Sequence, residues 1–434
     1  MPLPQSESPT RARYVLVLWL CGLAGVLYLD RICMAQAVQP IQDELTISET
    51  RMSFVMMAFT LAYGLFEVPT GWLGDRVGGR RVLTRIVLWW SAFTSLTGAA
   101  LGFGTLLAVR FLFGAGEAGA FPNAARVISR WYPVGERGRV QGLMLTASQL
   151  GSVIAPVLAA YVIALAGWRW TFVAFGSLGV LWAAGFWRWF RDDPEAHPGV
   201  NAAELALIRE KGGAAKTAHP PVPWRAVFAN RGILVLSLLM IFGSFFTYLF
   251  YSWFPKYLQD GRRIGNVEAG WLAALVLAGS AIGVFLGGFV SDWFTRHSAD
   301  PLRARRVLGS VCYVTAAGCM FLGIRRDEPA ALAGLFAGAT FAMHITLPNW
   351  WSVAIPQCGR HVGALFGLMN GMGVFGAMAS QFFVGAFADW RKSRGFTGRA
   401  QWDPMLDAYV GVLLLGAIAW AAYRSRPLEP DESG

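Results

Sequence analysis

Apolar residues in this 434-residue chain come in long, nearly continuous runs, neither alternating with polar ones nor confined to one helical face. About 20 such residues make a helix long enough to cross roughly 30 Å of hydrocarbon. Twelve runs of this kind lie at 14–37, 51–73, 82–102, 105–130, 140–164, 169–190, 231–258, 268–293, 305–324, 329–354, 361–388 and 405–423. They predict an all-α polytopic membrane protein with 12 transmembrane helices. A transmembrane barrel is excluded, because its strands would be about ten residues long and would alternate apolar with polar. The first run lacks a small-residue cleavage site and continues into Leu29, Asp30 and Arg31, so it reads as a retained helix and not a signal peptide.

The segments between runs set the orientation. Most of the 37 lysines and arginines fall at the two ends of the chain and in alternate connections, the second-to-third, fourth-to-fifth and so on. Basic connections stay in the cytoplasm, so both termini are expected there. The longest connection, 191–230, is charged and Pro-containing; it separates a six-helix half at 1–190 from another at 231–434. Stretches such as FPNAA (121–125), IAP (154–156) and LPN (347–349) would permit bending and close helix approach. Composition agrees: 55% of residues are hydrophobic and 15% charged, against about 25% charged in soluble proteins. The net charge of +11 follows from the cytoplasmic bias, and no nucleic-acid partner is implied. Five scattered Cys and five His show no paired or ligand-like spacing, so no disulfide and no metal site are expected.

The connection between the second and third runs reads Gly71-Trp-Leu-Gly-Asp75-Arg76-Val-Gly78-Gly79-Arg80-Arg81. Gly71 would let two helices approach, Asp75 would cap a helix or meet arginines, and Gly78 would permit a tight turn. Arg80 and Arg81 would hold the loop in the cytoplasm. Asp75, Arg76 and Arg80 are therefore read as gating residues. A degenerate copy recurs at the matching place in the second half, from Gly288 to Asp292 and then Arg303, Arg305 and Arg306. The loop resembles the G-x3-D-[RK]-x-G-x-[RK]-[RK] motif of the major facilitator superfamily. That resemblance implies a transporter of two six-helix halves with substrate bound between them.

Ionisable groups inside spans default to function, because burying them is costly. Asp30 and Arg31 close the sequence LYLDR in the first run, and Arg110 and Glu117 lie in RFLFGAGEAG of the fourth. Arg110 and Glu117 are seven residues apart, about 20° short of two turns, so they share a face about 10 Å apart. On the same continuous helix Arg126 would point elsewhere, nearer the cytoplasmic end. Arginine binds carboxylate or phosphate through a fixed fork. Burial opposes a carboxylate's charge and a nearby arginine favours it, so such a group can switch near neutral pH. The four residues can bind an organic anion together with a proton; the alternative is that Asp30–Arg31 and Arg110–Glu117 neutralise each other as structural ion pairs. Glu67 is read as part of the gate network. The second half offers neutral donors and rings, among them Tyr248, Tyr251, His344, Asn349, Trp350, Trp351, Asn370 and Gln381, with helix-interface and lipid-boundary roles as the alternative.

These residues resemble a narrower group, the anion:cation symporter family. It includes bacterial galactonate, hexuronate, glucarate and phthalate permeases and the animal vesicular glutamate and sialic-acid carriers. The resemblance covers nearly the whole chain: YLDR (28–31), the 71–81 loop, RFLFGAGEAGAFPNAARVISRWYPVGERGR (110–139), GWRWTF (167–172) and DDPEAHPGVNAAELALI (192–208). It implies Asp30 and Glu117 as protonatable carboxylates and Arg31 and Arg110 in the substrate and coupling network, with Arg31 the direct carboxylate ligand. Tyr63, Gln149, Trp350 and Asn370 fall where the galactonate-type branch lines its cavity. Leu27 stands where many members have Asn, Gly79 replaces a basic residue, and no His precedes position 197. These departures favour a bacterial sugar-acid-like permease over an animal-type carrier.

The expectation is a monomeric, multi-pass symporter in a bacterial cytoplasmic (inner) membrane. It would import a small organic anion with protons by alternating access, using the proton gradient and no cofactor. Two rivals are a proton-coupled drug or cation antiporter and a membrane enzyme or sensor. Span 5 carries Gly142, Gly151, Ala155 and Pro156, near the Gly-Pro motif of antiporters, but paired arginines repel cationic drugs. No nucleophile–base, metal or phosphate-loop constellation supports an enzyme.

Overall fold

The computed structural model describes residues 8–209, 223–358 and 361–424, apart from the side chains at 75, 362 and 363. The described residues are helical nearly throughout. The first part of the chain forms α1 (Ala12–Leu45), α2 (Glu49–Val77), α3 (Gly79–Thr97), α4 (Phe103–Glu117), α5 (Ala120–Trp131) and α6 (Val134–Trp189). Two short helices follow, α7 (Ala202–Arg209) and α8 (Trp224–Ala229). The remainder holds α9 (Arg231–Ser252), a single turn α10 (Phe254–Lys256), α11 (Asn266–Arg296), α12 (Pro301–Ile324), α13 (Pro329–Cys358), α14 (Val362–Ser393) and α15 (Arg399–Ala422). Among the described residues, nine helices are long and apolar enough to cross a membrane.

Four expected spans differ in outline. The fourth run, expected as one helix, is α4 and α5 separated by Ala118 and Gly119. The fifth and sixth merge into α6, which bends at Gly167 (φ 81°, ψ 166°). The seventh stops at Ser252, because Pro255 in the next turn has no N–H to continue the ladder; a π turn at Tyr257–Gly261 follows.

The described residues fall into two compact units. The first comprises Met1–Arg31, Leu61–Ser152 and Ala166–Thr217, and the second Ile32–Thr60, Val153–Leu165 and Ala218–Gly434. In the first unit, the segment after α6 supplies helix caps. Buried Glu204 accepts the N–H groups of Ala12 (3.3 Å) and Arg13 (3.2 Å) and the Thr10 hydroxyl, which closes the start of α1. Asp192 accepts the Arg80 N–H at 2.9 Å and so caps α3. His197 packs edge-on against Trp131 and Trp189 and accepts the Gly199 N–H on Nδ1 at 3.0 Å. Burial there, reinforced by Arg191, holds its ring below the usual histidine range.

In the second unit, Gly279, Gly283 and Gly287 on α11 face the backbone of α13. A Cβ on Gly287 would stand 2.8 Å from the Ile345 carbonyl oxygen, so only glycine allows this approach. Gln381 joins α14 to its neighbours: its side-chain oxygen accepts Thr60 at 3.0 Å, and its amide donates to Ser252 at 3.1 Å. Lys256, 4% exposed, pairs with Glu49 at 3.3 Å and also donates to Gln39.

Candidate functional site

Two arginines and two carboxylates meet inside the first unit. α1 carries Asp30 and Arg31 at adjacent positions, and α4 carries Arg110 and Glu117 on one face. Asp30 and Glu117 are fully buried, and Arg110 is 3% exposed. Arg31 Nε donates to Glu117 Oε1 at 3.0 Å, and Nη2 donates to the same oxygen. The second oxygen, Oε2, is buried and accepts no hydrogen bond among the described residues. The Arg31 guanidinium lies 5.0 Å from the Tyr28 ring centre and 4.8 Å from that of Tyr63. Both ring faces attract the cation. Arg110 is an electrostatic neighbour of both carboxylates and rests 4.5 Å over the Phe113 ring.

Sequence reasoning missed two members of this site. Trp90 and Thr94 on α3 lie beside the Asp30 carboxylate. The polar run Ser91, Thr94 and Thr97, buried along an apolar helix, was the available signal. Glu67, expected in the gate network, lies beside Tyr63 and Arg31. Glu67 follows Tyr63 by four residues on α2, which puts both on one face.

The break after Glu117 has a local cause. Ala118 is extended (φ −56°, ψ 138°) and Gly119 is left-handed (φ 84°). A Cβ on Gly119 would be 2.7 Å from Thr70 Cβ, so glycine is required by backbone and by space. Asn123 reinforces the corner by donating to the Gly119 carbonyl at 2.8 Å and the Thr70 carbonyl at 3.3 Å. Gly119→Ala is expected to cost at least about 1–3 kcal/mol and to displace Glu117. Denaturation of the purified variant together with transport assays checks both effects.

The 71–81 loop makes its expected turn at Gly78, but its close helix contact falls elsewhere than expected. Gly71 has room for a Cβ, the nearest atom being Pro122 Cβ at 3.7 Å. Gly74 is the tight contact, since a Cβ there would overlap Asn123. The Gly74 carbonyl accepts Arg126, which lies on α5 beyond the break and whose direction is set by the corner and not by a continuous helix. Gly78 makes the turn with φ 94°. Arg76 stacks 3.9 Å over Trp72, and Arg80 donates to the Trp187 carbonyl from Nε at 3.0 Å. The Asp75 side chain lies outside the described residues.

The structure thus brings together Asp30, Arg31, Tyr63, Arg110 and Glu117. Gln149 is half-buried on α6 in the same unit. Trp350 and Asn370 belong to the second unit, where Asn370 is exposed on α14 and Trp350 is buried, donating to the Leu236 carbonyl at 3.1 Å. His344 on α13 bonds through Nδ1 to the Thr340 carbonyl at 2.8 Å. Among the described residues, no group of three or more His, Cys, Asp or Glu could hold a metal.

Comparison with known proteins supplies the wider setting. Residues 20–381 match the family described as Major Facilitator Superfamily. A probable sulfoacetate transporter, SauU, of Cupriavidus necator is 30% identical over 378 residues, 86% of this chain and 87% of that protein. A D-galactonate transporter of Escherichia coli is 28% identical over 433 residues, 97% of each chain. The crystal structure of a bacterial homologue of the human lysosomal transporter Spinster, inward-facing and unoccupied, superposes with a TM-score of 0.78. It is 20% identical, and the match covers 95% of this chain and 97% of that one, so this likeness speaks for the fold.

Proposed function

The chain belongs to the major facilitator superfamily, and from that premise we propose that it is a proton-coupled symporter that carries a small organic anion into the cell by alternating access. It is a multi-pass membrane transporter and not an enzyme. Relatives named for galactonate, glucarate and sulfoacetate support a carboxylate or sulfonate as the cargo. The observation that carries the reading is the Arg31–Glu117 pair with its bare second oxygen. While Glu117 is ionised it occupies the Arg31 fork. A proton placed on Oε2 removes the competing charge and frees the guanidinium for the anion, so proton and anion load together. Proton loss restores the internal pair and expels the anion. Arg110 and Asp30 keep the rest of the cluster neutral through this exchange, and Tyr63 and Tyr28 hold Arg31 in place.

The test is uptake into proteoliposomes of labelled sugar acids and short sulfonates, with and without an inward proton gradient. Accumulation of an anion that rises with the gradient supports the reading; movement of organic cations against the gradient replaces it with antiport. Arg31→Lys keeps the charge but loses the fork. It is expected to weaken anion binding roughly tenfold or more, the value of a charge-assisted hydrogen bond. Unchanged affinity in that variant would remove Arg31 from the anion site.

A further inference from the structure

A groove of about 710 Å³ lies on the first unit between α3 and the last turns of α6, and none of the charged quartet lines it. Its volume is in the range of sites that hold small molecules. Arg81 and Arg85, one turn apart on α3, stand at one end. Trp89 and Trp187 form walls, and Leu88, Val180 and Ala184 continue the groove along the helices. Leu88, Trp89, Val180 and Trp187 are all more than 40% exposed, whereas Val82, Leu83, Ile86 and Val87 on the other side of α3 are buried. In a membrane protein an exposed apolar face of this kind meets lipid chains. A second feature points inward. Thr84 lines the groove, is only 8% exposed, and its hydroxyl has no hydrogen-bond partner among the described residues.

We propose that this groove is a binding site for one anionic phospholipid, with its phosphate between Arg81 and Arg85 and an acyl chain lying against Leu88, Val180 and Ala184. The charge pattern selects the head group. Two arginines and no carboxylate line the groove, so a phosphate is drawn in while a choline has nothing to pair with. The helix geometry selects a lipid over a free anion. Leu88 is seven residues beyond Arg81, about 10 Å deeper along α3, so a ligand that spans both must carry a long apolar part. Thr84 sits between the two ends and offers its hydroxyl to the lipid's glycerol ester region. Nothing in this assignment depends on the transported anion.

Native mass spectrometry of the delipidated full-length protein would test it, by titration with phosphatidylglycerol and with phosphatidylcholine of the same acyl chains. Phosphatidylglycerol should bind about tenfold or more tightly than phosphatidylcholine. Arg81→Gln/Arg85→Gln should erase that preference. Ala184→Trp, which fills the groove and leaves both arginines in place, should weaken phosphatidylglycerol by a similar factor. Arg188→Gln, an exposed neighbour outside the groove, should leave binding unchanged. Equal binding of the two lipids by wild type would overturn the proposal. So would a preference that survives in Arg81→Gln/Arg85→Gln, unweakened phosphatidylglycerol binding in Ala184→Trp, or an equal loss in Arg188→Gln, which would indicate general surface charge.

Discussion

Glu117→Gln is expected to abolish gradient-driven accumulation of the transported anion while leaving exchange of anion across the membrane intact. The glutamine is isosteric and fixes the uncharged state, so Arg31 keeps a hydrogen-bonding neighbour but loses the competing charge. Anion binding should therefore persist or tighten. What disappears is the proton that travels with it. One proton moving down a gradient of one pH unit supplies about 1.4 kcal/mol, which would concentrate a monovalent anion about tenfold. The variant should level off near equal concentrations inside and out. Counterflow of labelled against unlabelled anion, run on the same vesicles, separates lost coupling from lost folding. Accumulation equal to wild type would exclude Glu117 as the coupling group and direct attention to Asp30.

A second large effect is expected far from that site in the chain, in the second unit. Lys256 and Glu49 are both about 95% buried and 3.3 Å apart, and Gln42 donates to the other Glu49 oxygen at 2.9 Å. The N-terminus of α2 is also held there, because Asp389 accepts the Glu49 and Thr50 N–H groups at 3.3 and 2.8 Å. Removing one member of a buried pair leaves the other charge without compensation, a loss of about 3–5 kcal/mol. Lys256→Met should show that loss on unfolding by SDS in mixed micelles. The double variant Glu49→Gln/Lys256→Met should recover most of it, because two neutral groups need no mutual neutralisation. A single variant within about 1 kcal/mol of wild type would mean that water reaches the pair.

Much of this protein was legible without coordinates. Hydrocarbon has no donors or acceptors for a bare backbone, so long apolar runs can only be helices, and the runs read from the sequence fall on the observed α-helices. Asp30, Arg31, Arg110 and Glu117 stood out because ionised groups are rare in such runs. The seven-residue spacing of Arg110 and Glu117 correctly put both on one face, since α4 is regular between them. The family resemblance pointed to Tyr63, which does lie against Arg31.

Other features depend on residues distant in sequence. Glu117 meets Arg31 across 86 positions, and no local pattern tells which arginine it chooses. Helical periodicity assigns a direction only until the helix breaks, and the corner at Gly119 resets it for Arg126. The tightness of a glycine depends on what packs opposite, which is why Gly74 and not Gly71 proved to be the close contact. Glu67 was assigned to the gate by its nearness to the loop, whereas its surroundings are set by α1. Sequence alone determined which segments are apolar enough to cross a membrane and which charges lie within them, because solvation acts on each residue where it stands. Tertiary structure decided the partner of each charge, because ion pairs and close packing require two surfaces to meet.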